Sequence, residues 1–129
     1  MESVLRASLI AWLQADPALA DGLNTITEEA SLRASPPWLG IVASASTDWS
    51  VKDRQGREVR LAMELHCRGD DPATAAALGS AIEARVNALP ANQPGFSVAN
   101  CTFLRARAEQ RPGNLRAVLI EYRFRLLAA

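Results

Sequence analysis

The chain has 129 residues, the usual size of one domain, and 14 basic side chains balance 14 acidic ones to a formal net charge of zero. A chain of this length buries roughly two-thirds of its unfolded surface, so it can hold a core without metals or disulfides. The charge balance argues against a dedicated nucleic-acid binder, which usually has a basic stripe or a high pI. No stretch of sequence approaches the ~18 apolar residues of a membrane span.

The charges are unevenly spread along the chain. Residues 1–33 carry five acids against two arginines, whereas residues 101–129 carry six arginines against two glutamates. This asymmetry between the two ends suits a head-to-tail contact between identical subunits. A neutral chain also has little charge repulsion to keep its copies apart.

The N-terminal part of the sequence predicts helical structure. Apolar residues recur at spacings of three and four over residues 3–15, which indicates an amphipathic helix. Pro17, with Asp16 as its N-cap, can begin a short second helix. Residues 23–35 are polar and irregular, and we expect them to connect the helices to the sheet.

A hairpin follows. Small and apolar strand formers fill residues 38–47, and apolar and polar residues alternate from Val59 to Arg68, which predicts two strands. The charged loop between them is longer than a tight turn needs. We therefore expect a long β-hairpin arm.

The second half predicts another helix and another hairpin. An aspartate–proline pair begins a helix over residues 72–89. Residues 96–107 predict a strand whose alternation breaks near Asn100, where we expect a bulge. A turn at 111–114 leads to the clearest strand, residues 118–126.

These elements predict one α+β domain over residues 1–129. Their order is α-β-β-α-β-β, which implies an antiparallel or mixed four-stranded sheet with two main helices packed on one face. The sequence contains no internal repeat and no linker that would divide it.

Residues that could carry chemistry are few. His66 is the only histidine and neighbours Cys67 along a strand, so the two side chains point to opposite faces and cannot form a nucleophile pair. We expect His66 to lie on the solvated face of this strand. Cys67 and Cys101 lie in apolar runs and are interpreted as structural thiols. Asp70 and Asp71 are better explained by helix capping than by acid–base work. We predict no catalytic residue, no cofactor and no metal, and hence no enzyme.

Residues that could contact another protein are more numerous than residues that could carry chemistry. Trp49 lies among charges in a loop, and tryptophan is enriched at the centres of interfaces, although it could also fold back onto the sheet. The arginines of the last two strands form either an ordinary solvated face or a patch for an acidic partner. The candidate interaction residues are Asp48, Trp49, Lys52, Asp53, Arg54, Arg57, Arg105, Arg107, Arg123 and Arg125.

The chain resembles the small tail-completion proteins of long-tailed bacteriophages and of gene transfer agents. The resemblance is carried by Pro37-Trp38-Leu39-Gly40-Ile41-Val42, then by Asp48-Trp49-Ser50-Val51-Lys52-Asp53 and Glu58-Val59-Arg60-Leu61. It covers about residues 1–127. Residues 21–35 depart from the family, which often has a glycine-rich stretch there.

The resemblance implies a structural role. Such proteins look like the tail terminators that close the tail tube where it meets the head, as homohexameric rings. The implied partners are further copies of the chain, the tail tube protein and the head–tail connector or stopper protein, with DNA only as cargo in the lumen and no membrane. The implied location is the bacterial cytoplasm during assembly and then the particle tail.

Three alternatives stay open on the sequence. A head–tail connector or neck protein would have the same setting. A small-ligand-binding or enzymatic α+β domain would need a pocket with convergent polar groups. A nucleic-acid-binding module would need salt-dependent affinity for DNA.

Overall fold

The computed structural model describes residues 1–29 and 34–129, which form a six-stranded sheet with helices packed on one face. The helices are α1 (Glu2–Gln14), α2 (Pro17–Gly22) and α3 (Pro72–Asn87). The strands are β1 (Thr25–Thr27), β2 (Trp38–Asp48), β3 (Gly56–Arg68), β4 (Asn92–Gln93), β5 (Phe96–Arg111) and β6 (Leu115–Ala128).

The predicted four-stranded sheet with two main helices is wrong. Within the described residues the sheet has six strands in the order β1-β2-β3-β6-β5-β4, and there are three helices. The two extra strands are three and two residues long, so they are too short to show a period of two in the sequence. β1 pairs with β2 in parallel, which makes the sheet mixed.

The short elements α2 and β1 lie in the connection between α1 and β2. The helix at Pro17 is present as α2, where Asp16 Oδ1 accepts a hydrogen bond of 3.1 Å from the Ala18 amide. The segment 23–35 was expected to be irregular, yet β1 occupies part of it. Residues 30–33 of that segment lie outside the described residues.

Four long strands carry the domain, in the order β2-β3-β6-β5, and each neighbouring pair is antiparallel. The predicted bulge is confirmed by a register shift between Val98 and Asn100. Two further shifts occur, between Phe103 and Arg105 on β5 and between Ile41 and Ala43 on β2. The register therefore changes on both outer strands of this group, while β3 and β6 pair without interruption.

The core lies between the sheet and the helices. Alternate residues of β3 and β6 face it, and they pack against fully buried leucines of α1 and apolar residues of α3. Trp12 and Arg85 connect the two long helices: the Arg85 guanidinium lies 3.3 Å from the Trp12 ring centroid. Each of these residues also donates a hydrogen bond to the other's carbonyl oxygen, at 2.7 and 2.9 Å. None of the helices in the described ranges is long and apolar enough to cross a bilayer.

The opposite side of the sheet is charged. We call it the open face, because it is turned away from the helices. It is formed by the alternate residues of β3, β5 and β6 that do not enter the core. Its charged members are Glu58, Arg60, Glu64, Arg105, Arg107, Glu109, Arg111, Glu121, Arg123 and Arg125.

Candidate interaction surface

The loop between β2 and β3 is short and ordered by backbone hydrogen bonds. The Val51 amide donates to the Arg54 carbonyl at 2.9 Å, which places Lys52 and Asp53 at the tip of a tight turn. Both tip side chains are exposed. The tip is therefore the part of this loop that is presented outward.

The base of the loop is fixed to the ends of other strands. Arg54 Nε donates to the Ala128 carbonyl at 2.9 Å, and the Ala128 amide donates to the Gln55 carbonyl at 2.8 Å. Gly56 permits this approach, since a Cβ atom there would lie only 2.7 Å from the Leu126 carbonyl oxygen. The hairpin is long, with strands of 11 and 13 residues, but its loop lies against β6 and does not extend as a free arm.

Trp49 lies at the junction of this loop and the open face. Its half-buried ring has the Arg125 guanidinium 5.5 Å from its centroid, within the range of a cation–π contact. Arg125 Nε lies 3.1 Å from Glu58 Oε1, and Arg123 Nε lies 4.0 Å from the same oxygen. The structure therefore brings Trp49, Arg123 and Arg125 together around Glu58.

The other candidate arginines lie elsewhere. Arg105 is paired with Glu121 across β5 and β6, with nitrogen–oxygen distances of 2.6 and 3.3 Å. Arg107 contacts Glu109 on its own strand at 3.3 Å. Their side chains are 59% and 65% exposed, so these ion pairs are held weakly in water. The two residues form a patch separate from that around Glu58.

Two remaining candidates lie at the β2–β3 hairpin end. Arg57 donates to Ser46 Oγ at 3.3 Å, on the side of the sheet that carries the helices. Asp48 accepts from Ser50 Oγ at 2.7 Å, and Ser50 Oγ in turn accepts from the Gly56 amide. Asp48 thus shapes the loop, and Arg57 faces away from Arg123 and Arg125.

A further charged cluster, formed by Glu64, His66 and Arg111, was not predicted from the sequence. His66 was expected to lie on a solvated face, but its side chain is only 13% exposed and stacks on Trp38 with ring centroids 4.2 Å apart. Its Nε2 lies 2.7 Å from Glu64 Oε1, which also receives Arg111 Nη1 at 2.7 Å. The signal that would have revealed it is the register of β2 on β3, which places Trp38 opposite His66.

Reactive groups are sparse in the described part of the chain. It contains no cluster of three or more His, Cys, Asp or Glu side chains that could hold a metal ion. Both cysteines are free, with Cys67 buried and Cys101 half-buried. Burial raises the pKa of the Cys101 thiol to about 11, so it stays protonated at neutral pH and is a poor nucleophile.

The described surface thus offers an outward turn and exposed ion pairs. The sequence matches the family model described as "Tail completion protein gp17" over residues 7–127, and the chain therefore belongs to this family of structural tail proteins of phage-like particles. The resemblance found from the sequence is confirmed.

Solved structures give the same fold. The chain is similar to a chain in the structure titled "Virion of native gene transfer agent (GTA) particle", with a TM-score of 0.79 and 18% sequence identity. The similarity covers 99% of this chain and 97% of that one. A search of curated proteins finds no match to the sequence.

Proposed function

We propose that the chain is a tail terminator: a homohexameric ring that closes the tail tube at its head-proximal end. The observation that carries the proposal is the family match over residues 7–127, which spans almost the entire domain. The shared fold with a chain of a gene transfer agent particle supports the same setting. Assembly takes place in the bacterial cytoplasm, and the ring then remains in the particle tail.

The charge distribution supports assembly from identical copies. The N-terminal third of the chain is acidic and the C-terminal third is rich in arginine, so the two ends differ in charge. A ring needs two such complementary patches and a rotation that closes. The ring contacts itself, the tail tube protein and the head–tail connector or stopper protein, and DNA passes only as cargo.

The loop tip is the proposed contact with the tail tube. Lys52 and Asp53 are exposed, while Trp49 and Arg54 hold the base of the loop in place. A tip held this way loses little conformational entropy when it binds. Of the charged patches, Arg125 lies beside this loop, through its contact with Trp49, and Arg123 is next to it. We propose that Arg105 and Arg107, which are exposed, serve a subunit contact or line the lumen.

Tail tubes assembled in vitro test the proposal. Tail tube protein is polymerised with and without this chain, and the tubes are imaged by electron microscopy. We expect a ring at one end of each tube and an arrest of further growth. Mass photometry of the chain alone, or of the chain released from tubes, should give six copies.

Lys52 provides a local readout because it is the only lysine in the chain. Acylation of its amine should be slower when the ring is bound to tubes than in the free protein. Lys52→Glu should weaken tube binding, and Lys52→Arg is the matched control that keeps the charge. Rings that bind purified connector but leave tube growth unaffected would contradict the terminator and favour a neck protein.

A further inference from the structure

The sheet has two long edges without a partner strand in the described part of the chain. β1 pairs only with residues 38–40 of β2, and β4 pairs only with residues 96–97 of β5. Among the described residues, 41–48 and 99–111 therefore present backbone N–H and C=O groups on the two opposite edges, since the Val98 amide already donates to the Ala91 carbonyl at 2.7 Å. Unpaired edges of this length are templates for pairing with another chain.

The β2 edge lacks the usual protection against such pairing. Soluble proteins blunt free edges with charged side chains or proline. Residues 41–47 read Ile-Val-Ala-Ser-Ala-Ser-Thr and contain neither. Val42, at the bulge, has an exposed side chain. Among the described residues, no strand pairs with this edge beyond Gly40.

Strand direction makes the two edges compatible with each other. The four long strands alternate in direction, so β2 and β5, at the outside of this group, run antiparallel to one another. A rotation about an axis along the strands brings β2 of one copy beside β5 of the next. The contact is then antiparallel, and the alternation continues from copy to copy.

Exposed apolar side chains lie at the same level on both edges. Register pairs connect Ala43 to Ala62, Ala62 to Glu121, and Glu121 to Arg105 across the sheet. Val42 directly precedes the first residue of this row, and Leu104 directly precedes the last. Three of the exposed large apolar side chains of the described residues lie at this level, with Val42 (37% exposed) on one edge and Phe103 (42%) and Leu104 (37%) on the other.

We propose that β2 of one copy adds to β5 of the next copy, with Val42 beside the Phe103–Leu104 bulge, so that one sheet continues through successive subunits. The occupant of each edge is a second copy of this chain. The inference rests on the proposed ring and specifies its interface. When successive copies are related by a rotation without translation, the β2 bulge of one copy lies beside the β5 bulge of the next. The apolar side chains at the two bulges then lose exposure to water on assembly.

Disulfide crosslinking tests the pairing, because a continuous sheet keeps each side chain on its own face. The double variant Ala43→Cys with Arg105→Cys, or with Arg107→Cys, places both thiols on the open face. The matched controls combine Ala43→Cys with Ala106→Cys or Ala108→Cys, whose side chains point to the helix face. A bond within one copy would leave a monomer on a denaturing gel, so only bonds between copies give a ladder.

The expected result is a ladder of covalent oligomers, ending at the number of subunits in the ring, for the open-face pairs under mild oxidation. The helix-face controls and the wild-type chain should stay monomeric on denaturing gels. Rings without this face-dependent ladder would overturn the edge pairing and leave the ring proposal intact. A chain that remains monomeric at all concentrations, and also on tail tubes, would overturn both.

Charge substitutions test the apolar contact separately. Val42→Asp and Leu104→Asp should raise the protein concentration needed for half-assembly at least tenfold. Val4→Asp is the control, because Val4 is 45% exposed on α1 and belongs to neither edge strand. Circular dichroism should give the same folded spectrum for all three. Equal assembly by Val42→Asp and Val4→Asp would contradict the proposed position of the bulges.

Discussion

Tyr122 is predicted to make the fold sensitive to alkaline pH. Its side chain is fully buried in β6, and its hydroxyl reaches α3, with Asn87 Oδ1 at 2.9 Å and the Glu83 carbonyl oxygen at 3.3 Å. Burial is the main cause that raises its pKa above the ordinary value of 10.0, and the nearby Glu83 adds to it. The folded protein therefore holds the phenol proton when the unfolded chain has lost it.

The sign of the effect follows from this difference. Below pH 10 both states are protonated and the contribution of Tyr122 to stability is complete. Above pH 10 only the unfolded state ionises, so the free energy of unfolding falls by about 1.4 kcal/mol per pH unit until the folded pKa is reached. Tyr122→Phe removes this loss together with the hydroxyl's hydrogen bond, which contributes about 1 kcal/mol. The variant should be less stable than wild type at pH 8 and at least as stable at about pH 11.

The assay uses the fact that the chain has one tyrosine. Phenolate absorbance near 295 nm should stay flat through pH 10 in the native protein and rise near pH 10 in denaturant. Urea unfolding of wild type and Tyr122→Phe at pH 8 and pH 11 gives the two stability differences. A phenolate signal at pH 10 in the folded protein, or a constant stability gap at both pH values, would refute the reasoning.

Three further predictions concern the loop, a thiol and the start of α1. Trp49→Ala should lower the free energy of unfolding by about 1 kcal/mol, since it removes the half-buried ring and its contact with the Arg125 guanidinium. Lys52→Ala is the control and should change the free energy of unfolding by less than about 0.5 kcal/mol. Equal urea midpoints for the two variants would contradict this prediction. Cys101 should react with iodoacetamide far more slowly at pH 8 than a free thiol, in line with its raised pKa, and unfolding in urea should restore a normal rate. The Ser44 hydroxyl donates to the Glu2 carboxylate and lowers the Glu2 pKa below 4.5, so this contribution is present above that pH and is lost as the pH falls. Glu2→Gln should accordingly cost about 0.5 kcal/mol at pH 7 and nothing near pH 3, and a cost that persists in acid would contradict it.

The long helices and strands could be predicted from the sequence, whereas the short strands β1 and β4 could not. The alternation in β3 and β6 is strong because one face of each strand is buried, and Asp71 caps α3 through its 3.0 Å bond to the Thr74 amide. β1 and β4 form by backbone pairing over three and two residues, so their side chains show no pattern from which a strand could be predicted. Alternation of polar and apolar residues reflects the burial of one face of a strand, and these two strands bury little surface.

The candidate contact residues were chosen by residue type, and the sequence could not predict how they group in space. The two pairs of arginines share the open face of the β5–β6 hairpin, yet they do not form one patch. Each arginine lies beside an acid on its own strand or on a neighbouring strand. Arg125 reaches Glu58 on β3, and Arg105 reaches Glu121. Only the cross-strand register decides such partners, and register is a tertiary property.

These ion pairs also bear on what the open face can do inside a ring. Its six arginines are offset by four glutamates, most of them within ion-pair distance of an arginine. Tight binding to nucleic acid depends on many unpaired cations that neutralise phosphates and release counterions. A face whose cations are mostly paired has few left for phosphates. Such a surface suits a ring in which DNA is cargo, because a channel that gripped the phosphates would hold the molecule it has to let through.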